Sequence, residues 1–100
     1  MMHSKTYALI RMTMVEYIKK GSKSTYKKVQ MKRLIAIIEN IFEHEKCTDL
    51  NAIGRRQIIG YWHRTSHESD KTRREKYTIL KKFFEMYNGK VTVPQPRPNP

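Results

Sequence analysis

Apolar residues recur at intervals of three and four in four separate stretches of this chain. That period belongs to helices that bury one face. The first stretch, about Tyr7 to Lys20, places Leu9, Ile10, Met14, Tyr17 and Ile18 on one stripe and stops at Gly21. The second begins after Ser24 or Thr25, either of which suits a cap, and runs to about Lys46; Tyr26, Leu34, Ile37, Ile38, Ile41 and Phe42 thicken toward its end. The third, about Ile53 to Arg64, carries Ile58, Ile59, Tyr61 and Trp62 behind a cap at Asp49 or Asn51, with Gly54 and Gly60 blurring its edges. The fourth starts after Ser69 and Asp70, carries Tyr77, Ile79, Leu80, Phe83, Phe84 and Tyr87, and ends at Asn88-Gly89. The single competing strand signal, Val91 to Val93, sits beside prolines. The pattern predicts an all-α fold of four helices.

One hundred residues make one domain, too small for a cleft between two. Residues 1–90 read as the helical unit. From Pro94 onward Pro94, Pro96, Pro98 and Pro100 alternate with other residues, which forbids helix and favours an extended segment. Residues 91–100 therefore read as a linker toward a further domain that the chain does not contain. Cys47, the single cysteine, forms no internal disulfide and reads as a small buried or half-buried residue. Arg11 and Glu16 interrupt the N-terminal apolar stretch, which does not suit a secretion signal, and Leu34 to Ile38 is too short to span a bilayer. A cytoplasmic protein without a membrane partner is expected.

Charge narrows the function. Lys and Arg number 21 against 9 Asp and Glu, for a formal charge of +12. A body this small and this basic attracts polyanions, nucleic acid first. The cations are clustered. No acid lies between Glu16 and Glu39, while Lys19, Lys20, Lys23, Lys27, Lys28, Lys32 and Arg33 fall in that window. Lys71, Arg73, Arg74 and Lys76 occupy the first turns of the fourth helix, with Lys81 and Lys82 further along. Cations at a helix start oppose its dipole, each at a cost of about 0.3–1 kcal/mol, so stability does not explain them there. A phosphate ligand does, held by backbone N–H groups, by the hydroxyls of Thr72 and Thr25, and by the flanking lysines and arginines. The acids concentrate at the other end of the second helix, in Glu39, Glu43, Glu45 and Asp49.

The stretch Ser69 to Tyr87 resembles the last helix of the core-binding, SAM-like N-terminal domain of tyrosine recombinases and phage integrases. In that family a Thr opens the helix and apolar residues follow, ending in a Phe-Phe-like pair; Thr72, Tyr77, Ile79, Leu80, Phe83 and Phe84 stand at those offsets. Gly21-Ser22-Lys23-Ser24-Thr25 is similar to the family's entry into its central helix, Asp49-Leu50 to its short third element, and Gly89-Lys90-Val91 to its exit toward the catalytic domain. The resemblance spans about residues 5 to 98. It implies a small four-helix orthogonal bundle that closes on duplex DNA together with a downstream catalytic domain, beside other recombinase protomers. Carried over by position, it places Lys23, Thr25, Lys27, Lys28 and Lys32 on one DNA-facing helix, and Lys71, Thr72, Arg73, Arg74 and Lys76 on the other. Glu75 stands amid that second run, where a carboxylate either accepts from a cytosine amine or points away.

No catalytic constellation is visible, and the family's reacting residues reside in the domain that follows. His63 and His67 have helical metal-ligand spacing, but Thr65-Ser66 ends the helix between them and no Cys or carboxylate completes the set, so no metal or cofactor is expected. Tyr61 and Trp62 read as core or domain-contact residues. The competing function is a helical protein-interaction module whose basic face recruits an acidic partner, with the Pro-rich tail docking to protein. Membrane-surface attachment is a weaker third, because a four-helix core accounts for the apolar stripes.

Overall fold

A computed structural model describes residues 4–97; Pro98 and Pro100 of the tail lie outside them. Five α-helices and one short 3-10 turn follow one another, with no strand among the described residues. The first predicted helix is divided in two: α1, Ser4–Thr13, and α2, Val15–Lys19. Thr13 Oγ1 donates to Leu9 O at 2.8 Å, a back-bond of the kind that bends helices, and Met14 leaves helical geometry at φ −96°, ψ 8°. Met14 is fully buried, so the bend lets both α1 and α2 face the core.

The chain then turns sharply. Gly21 and Lys23 both adopt left-handed backbone, at φ 72° and φ 66°, and Lys23 itself occupies the cap position of α3, Ser24–His44. Ser24 and Thr25 therefore start the helix rather than cap it. The third predicted helix separates into the 3-10 turn Leu50–Ala52 and α4, Arg55–Arg64. Asp49 accepts from Asn51 N–H at 2.8 Å to cap the turn, and Gln57 Oε1 accepts from Gly54 N–H at 2.9 Å at the head of α4. Gly60 sits mid-helix at a close approach: a Cβ there would displace the Glu45 carboxylate that pairs with Arg64. The last helix, α5, spans Asp70–Tyr87 behind Ser69, whose hydroxyl accepts from Thr72 N–H at 3.2 Å.

The core forms where these helices meet. Leu34, Ile37, Ile38 and Ile41 of α3 pack with Ile79, Leu80, Phe83 and Phe84 of α5, closed by Ile10, Met14, Ile58, Tyr61 and Trp62. Each such side chain contributes about 1.5–3 kcal/mol by leaving water. Helix α5 runs back along α3, since Lys27 shares a cleft with Lys82 and Met86 while Gln30 and Arg33 reach Glu75. Those two contacts tie the pair: Gln30 Nε2 donates to Glu75 O at 3.0 Å, and Arg33 Nη1 to Glu75 Oε2 at 2.7 Å.

The segment after α5 is extended, and it lies against the bundle. Val93 is buried, Trp62 Nε1 donates to Pro94 O at 2.9 Å, and Arg73 Nη1 donates to Arg97 O at 2.6 Å. The radius of gyration, 13.0 Å, is that of a compact chain of this length.

Candidate nucleic-acid interface

Periodicity decides which cations of α5 reach solvent. Arg73 falls on the stripe of Tyr77, Leu80 and Phe84, and Lys76 on that of Leu80, Phe83 and Tyr87. Both turn inward. Arg73 is 4 % exposed; its Nη2 donates to Trp62 O at 2.9 Å and its guanidinium lies 6.0 Å from the Trp62 ring centre. Lys76 Nζ donates to both carboxylate oxygens of Glu68, at 2.8 and 2.9 Å, and to Tyr61 Oη at 2.8 Å. Burial works to lower the Lys76 pKa, but the hydrogen bonds to Glu68 and Tyr61 outweigh it and leave the ammonium above the ordinary lysine value. Burial raises the Tyr61 phenol as well, against the opposing pull of Lys76. These two cations, expected at the DNA, instead hold the tail and the α4–α5 corner.

Lys71 and Arg74 remain outward, and Thr78, Lys81 and Lys82 continue their stripe on the exposed side of α5. The only carboxylate between Lys71 and Lys82 is Glu75, and its bond to Arg33 turns it toward α3. Of the two readings open for Glu75, it points away from the exposed stripe. The outer stripe of α5 thus carries Lys71, Arg74, Lys81 and Lys82 around neutral Thr78 over about 16 Å, the axial rise of roughly five phosphates of one DNA strand. Thr72 is half-buried, its Oγ1 accepting from Ser69 Oγ at 3.0 Å in the cap.

The start of α3 sorts in the same way. Lys23, Thr25, Lys28 and Lys32 are exposed, the last three on the side of α3 turned from the core. Lys27 shares the inner stripe of Met31, Leu34 and Ile38; its ammonium nitrogen is buried and lies 5.7 Å from the Tyr17 ring centre. Tyr26 and Val29, two of the exposed large apolar residues, stand between these cations and the seam with α5. Seven of the ten expected contact residues, Lys23, Thr25, Lys28, Lys32, Lys71, Thr72 and Arg74, therefore lie at or near the surface of α3, α5 and the turn before α3. Arg73, Lys76 and Lys27 do not present their charge there. The wheel position of each, shared with buried apolar residues, carried the signal that they turn inward; the same wheel adds Lys81 and Lys82.

Acidic side chains gather in a separate groove. A groove of about 750 Å³ between α1, the second half of α3 and the 3-10 turn is lined by Glu39, Glu43 and Asp49 beside Lys5, over Leu9, Phe42, Cys47 and Leu50. Carboxylates there disfavour a phosphate backbone. Cys47 is half-buried, and burial pushes its thiol up, with Glu45 adding to the effect. Helix α4 ends at Arg64, so His63 and His67 do not share a helix, and no cluster of three metal-ligating side chains occurs among the described residues. Nor is any helix among them long and apolar enough to cross a membrane.

No protein-family model matches the chain, and no curated protein and no solved structure shows a significant match.

Proposed function

We propose that the domain binds duplex DNA along the α3–α5 face, as the core-binding module of a site-specific tyrosine recombinase or integrase. The single observation that carries the DNA reading is the outer stripe of α5, with Lys71, Arg74, Lys81 and Lys82 exposed and the one intervening carboxylate bonded to α3. Phosphate contacts from this stripe and from Lys23, Lys28 and Lys32 fix register on the backbone, and the hydroxyl of Thr25 adds a neutral donor. The recombinase reading rests on the order and spacing of the helical stretches, with α1 and α2 serving as one bent first helix of a SAM-like four-helix bundle. In that reading the docked segment 91–97 sets the direction in which the chain leaves for its catalytic domain.

The test is fluorescence anisotropy with a labelled duplex over a series of salt concentrations. Replacing Lys71, Arg74, Lys81 and Lys82 together by Ala removes up to four phosphate contacts, and should flatten the slope of log K against log salt by about 0.9 per contact. An unchanged slope in a folded variant removes α5 from the interface. Binding to an acidic protein in preference to duplex DNA would favour the interaction-module reading.

A further inference from the structure

The ammonium of Lys27 is the least explained charge in the molecule. Its nitrogen is buried with no hydrogen-bond partner. Lys27 lines a cleft of about 270 Å³ between α2, α3 and α5, with Lys20 and Lys82, Glu16 and Glu85, and Tyr17 and Met86. Two carboxylates share this cleft, yet neither forms an ion pair with Lys27 within 4.0 Å. The face of Tyr17 attracts the cation from one side, but a ring accepts none of the three N–H donors an ammonium carries. Cations exceed carboxylates in the lining by one. The space admits a tetrahedral oxyanion together with several waters of about 30 Å³ each.

We propose that this cleft is a seat for a single phosphate-type oxyanion, anchored by Lys27 from beneath and flanked by Lys20 and Lys82. Lys27 supplies a desolvated, charge-assisted donor, the kind of hydrogen bond that is strongest out of water. The two exposed lysines admit the ion from solvent, and Glu16 and Glu85 hold the empty site near neutrality. Burial and the neighbouring Tyr26 raise the Tyr17 phenol, which keeps its proton and remains a donor at the rim. The oxyanion is either free phosphate or one backbone phosphate of a nucleic acid; both present anionic non-bridging oxygens on a tetrahedral phosphorus. The seat is independent of the outer stripe of α5, apart from Lys82 at their shared edge.

Side-chain NMR of the whole chain tests it. Lysine Nζ and Cε resonances are followed while inorganic phosphate replaces chloride at constant ionic strength. Lys27 and Lys82 should shift saturably, whereas exposed Lys28 reports only general screening. Lys27→Met should weaken the apparent phosphate Kd by about tenfold or more, the loss of one charged hydrogen bond. Should Lys27→Met fail to fold, Lys82→Gln should weaken it in the same direction. Lys71→Ala with Arg74→Ala should leave the phosphate response intact, which separates failure of the seat from failure of the DNA stripe. A duplex without terminal phosphates that displaces phosphate from Lys27 marks the backbone as the source; phosphate that stays bound beside the duplex marks the free ion. Shifts at Lys27 no larger than at Lys28, or an equal phosphate response in folded Lys27→Met, overturn the proposal.

Discussion

Arg73 and Arg74 are neighbours in sequence with opposite assignments, and replacing each by Ala separates them. Arg73→Ala deprives the buried Trp62 carbonyl of its donor at 2.9 Å, which costs about 1–3 kcal/mol. The Arg97 carbonyl regains water, so its loss is smaller. The guanidinium over the Trp62 ring adds about 0.5–2 kcal/mol, and relief from desolvating the charge offsets part of the sum. The expected loss is about 2–4 kcal/mol. At about 4–8 °C per kcal/mol for a domain of this size, Tm should fall by roughly 10–25 °C. Arg74→Ala, at an exposed position, should stay within about 0.5 kcal/mol of the parent. DNA binding should invert the order: measured below its Tm, Arg73→Ala keeps the parental salt slope, while Arg74→Ala lowers it by about one. Circular dichroism with urea and heat gives the first comparison, and anisotropy gives the second. Equal destabilisation of the two variants, or a reduced salt slope for Arg73→Ala alone, would refute the assignment of Arg73 to the interior.

The remaining predictions concern the other internal contacts. Deleting residues 91–97 strips Trp62 of its Pro94 acceptor and uncovers it, so the emission of this single tryptophan should shift to the red; an unshifted spectrum would mean the segment does not cover it. The Lys76 and Tyr61 pKa values are both raised above their ordinary 10.5 and 10.0 by folding. A raised folded value gives stability that is fully present below the unfolded pKa and lost as pH rises through the folded one, so urea stability should decline above about pH 10. Lys76→Met with Tyr61→Phe should flatten that decline, and a parental alkaline profile in the double variant would contradict the linkage. Gly60→Ala displaces Glu45 from Arg64 but gains about 1 kcal/mol of helix propensity, so unfolding free energy should change by less than about 1 kcal/mol. A loss of several kcal/mol would show the Glu45–Arg64 pair to matter far more than a part-exposed bridge should.

Helices α3, α4 and α5 were legible because each has a buried stripe of period 3.6, and α1–α2 because of its local stop at left-handed Gly21, although Leu9 and Ile18 of its expected stripe are exposed. The bend at Met14 was not, since a fully buried methionine at position 14 fits a straight stripe equally well. Ser24 and Thr25 looked like caps by residue type, but left-handed Lys23 took that place, a backbone choice without a residue signature. In the candidate site, clustering of charge is visible along the sequence, whereas the direction of each charge depends on helical register. Arg73, Lys76 and Lys27 share wheel positions with Phe84, Phe83 and Leu34, and that register, more than their charge, places them inside. The partner of Glu75 could not be read at all: Arg33 lies 42 residues away, joined to it only by the packing of α3 on α5. The docked tail escaped for the same reason, because alternating prolines describe an extended chain without saying what it lies against.

The most direct measurement is an amide-shift NMR titration of the labelled domain with a short duplex at low and at moderate salt. The account predicts shifts at Lys71, Arg74, Thr78, Lys81 and Lys82 and around Lys23 to Lys32, fading as salt rises, with the groove around Glu39 and Glu43 silent. Shifts centred on that acidic groove, or none along α5 at low salt, would contradict it.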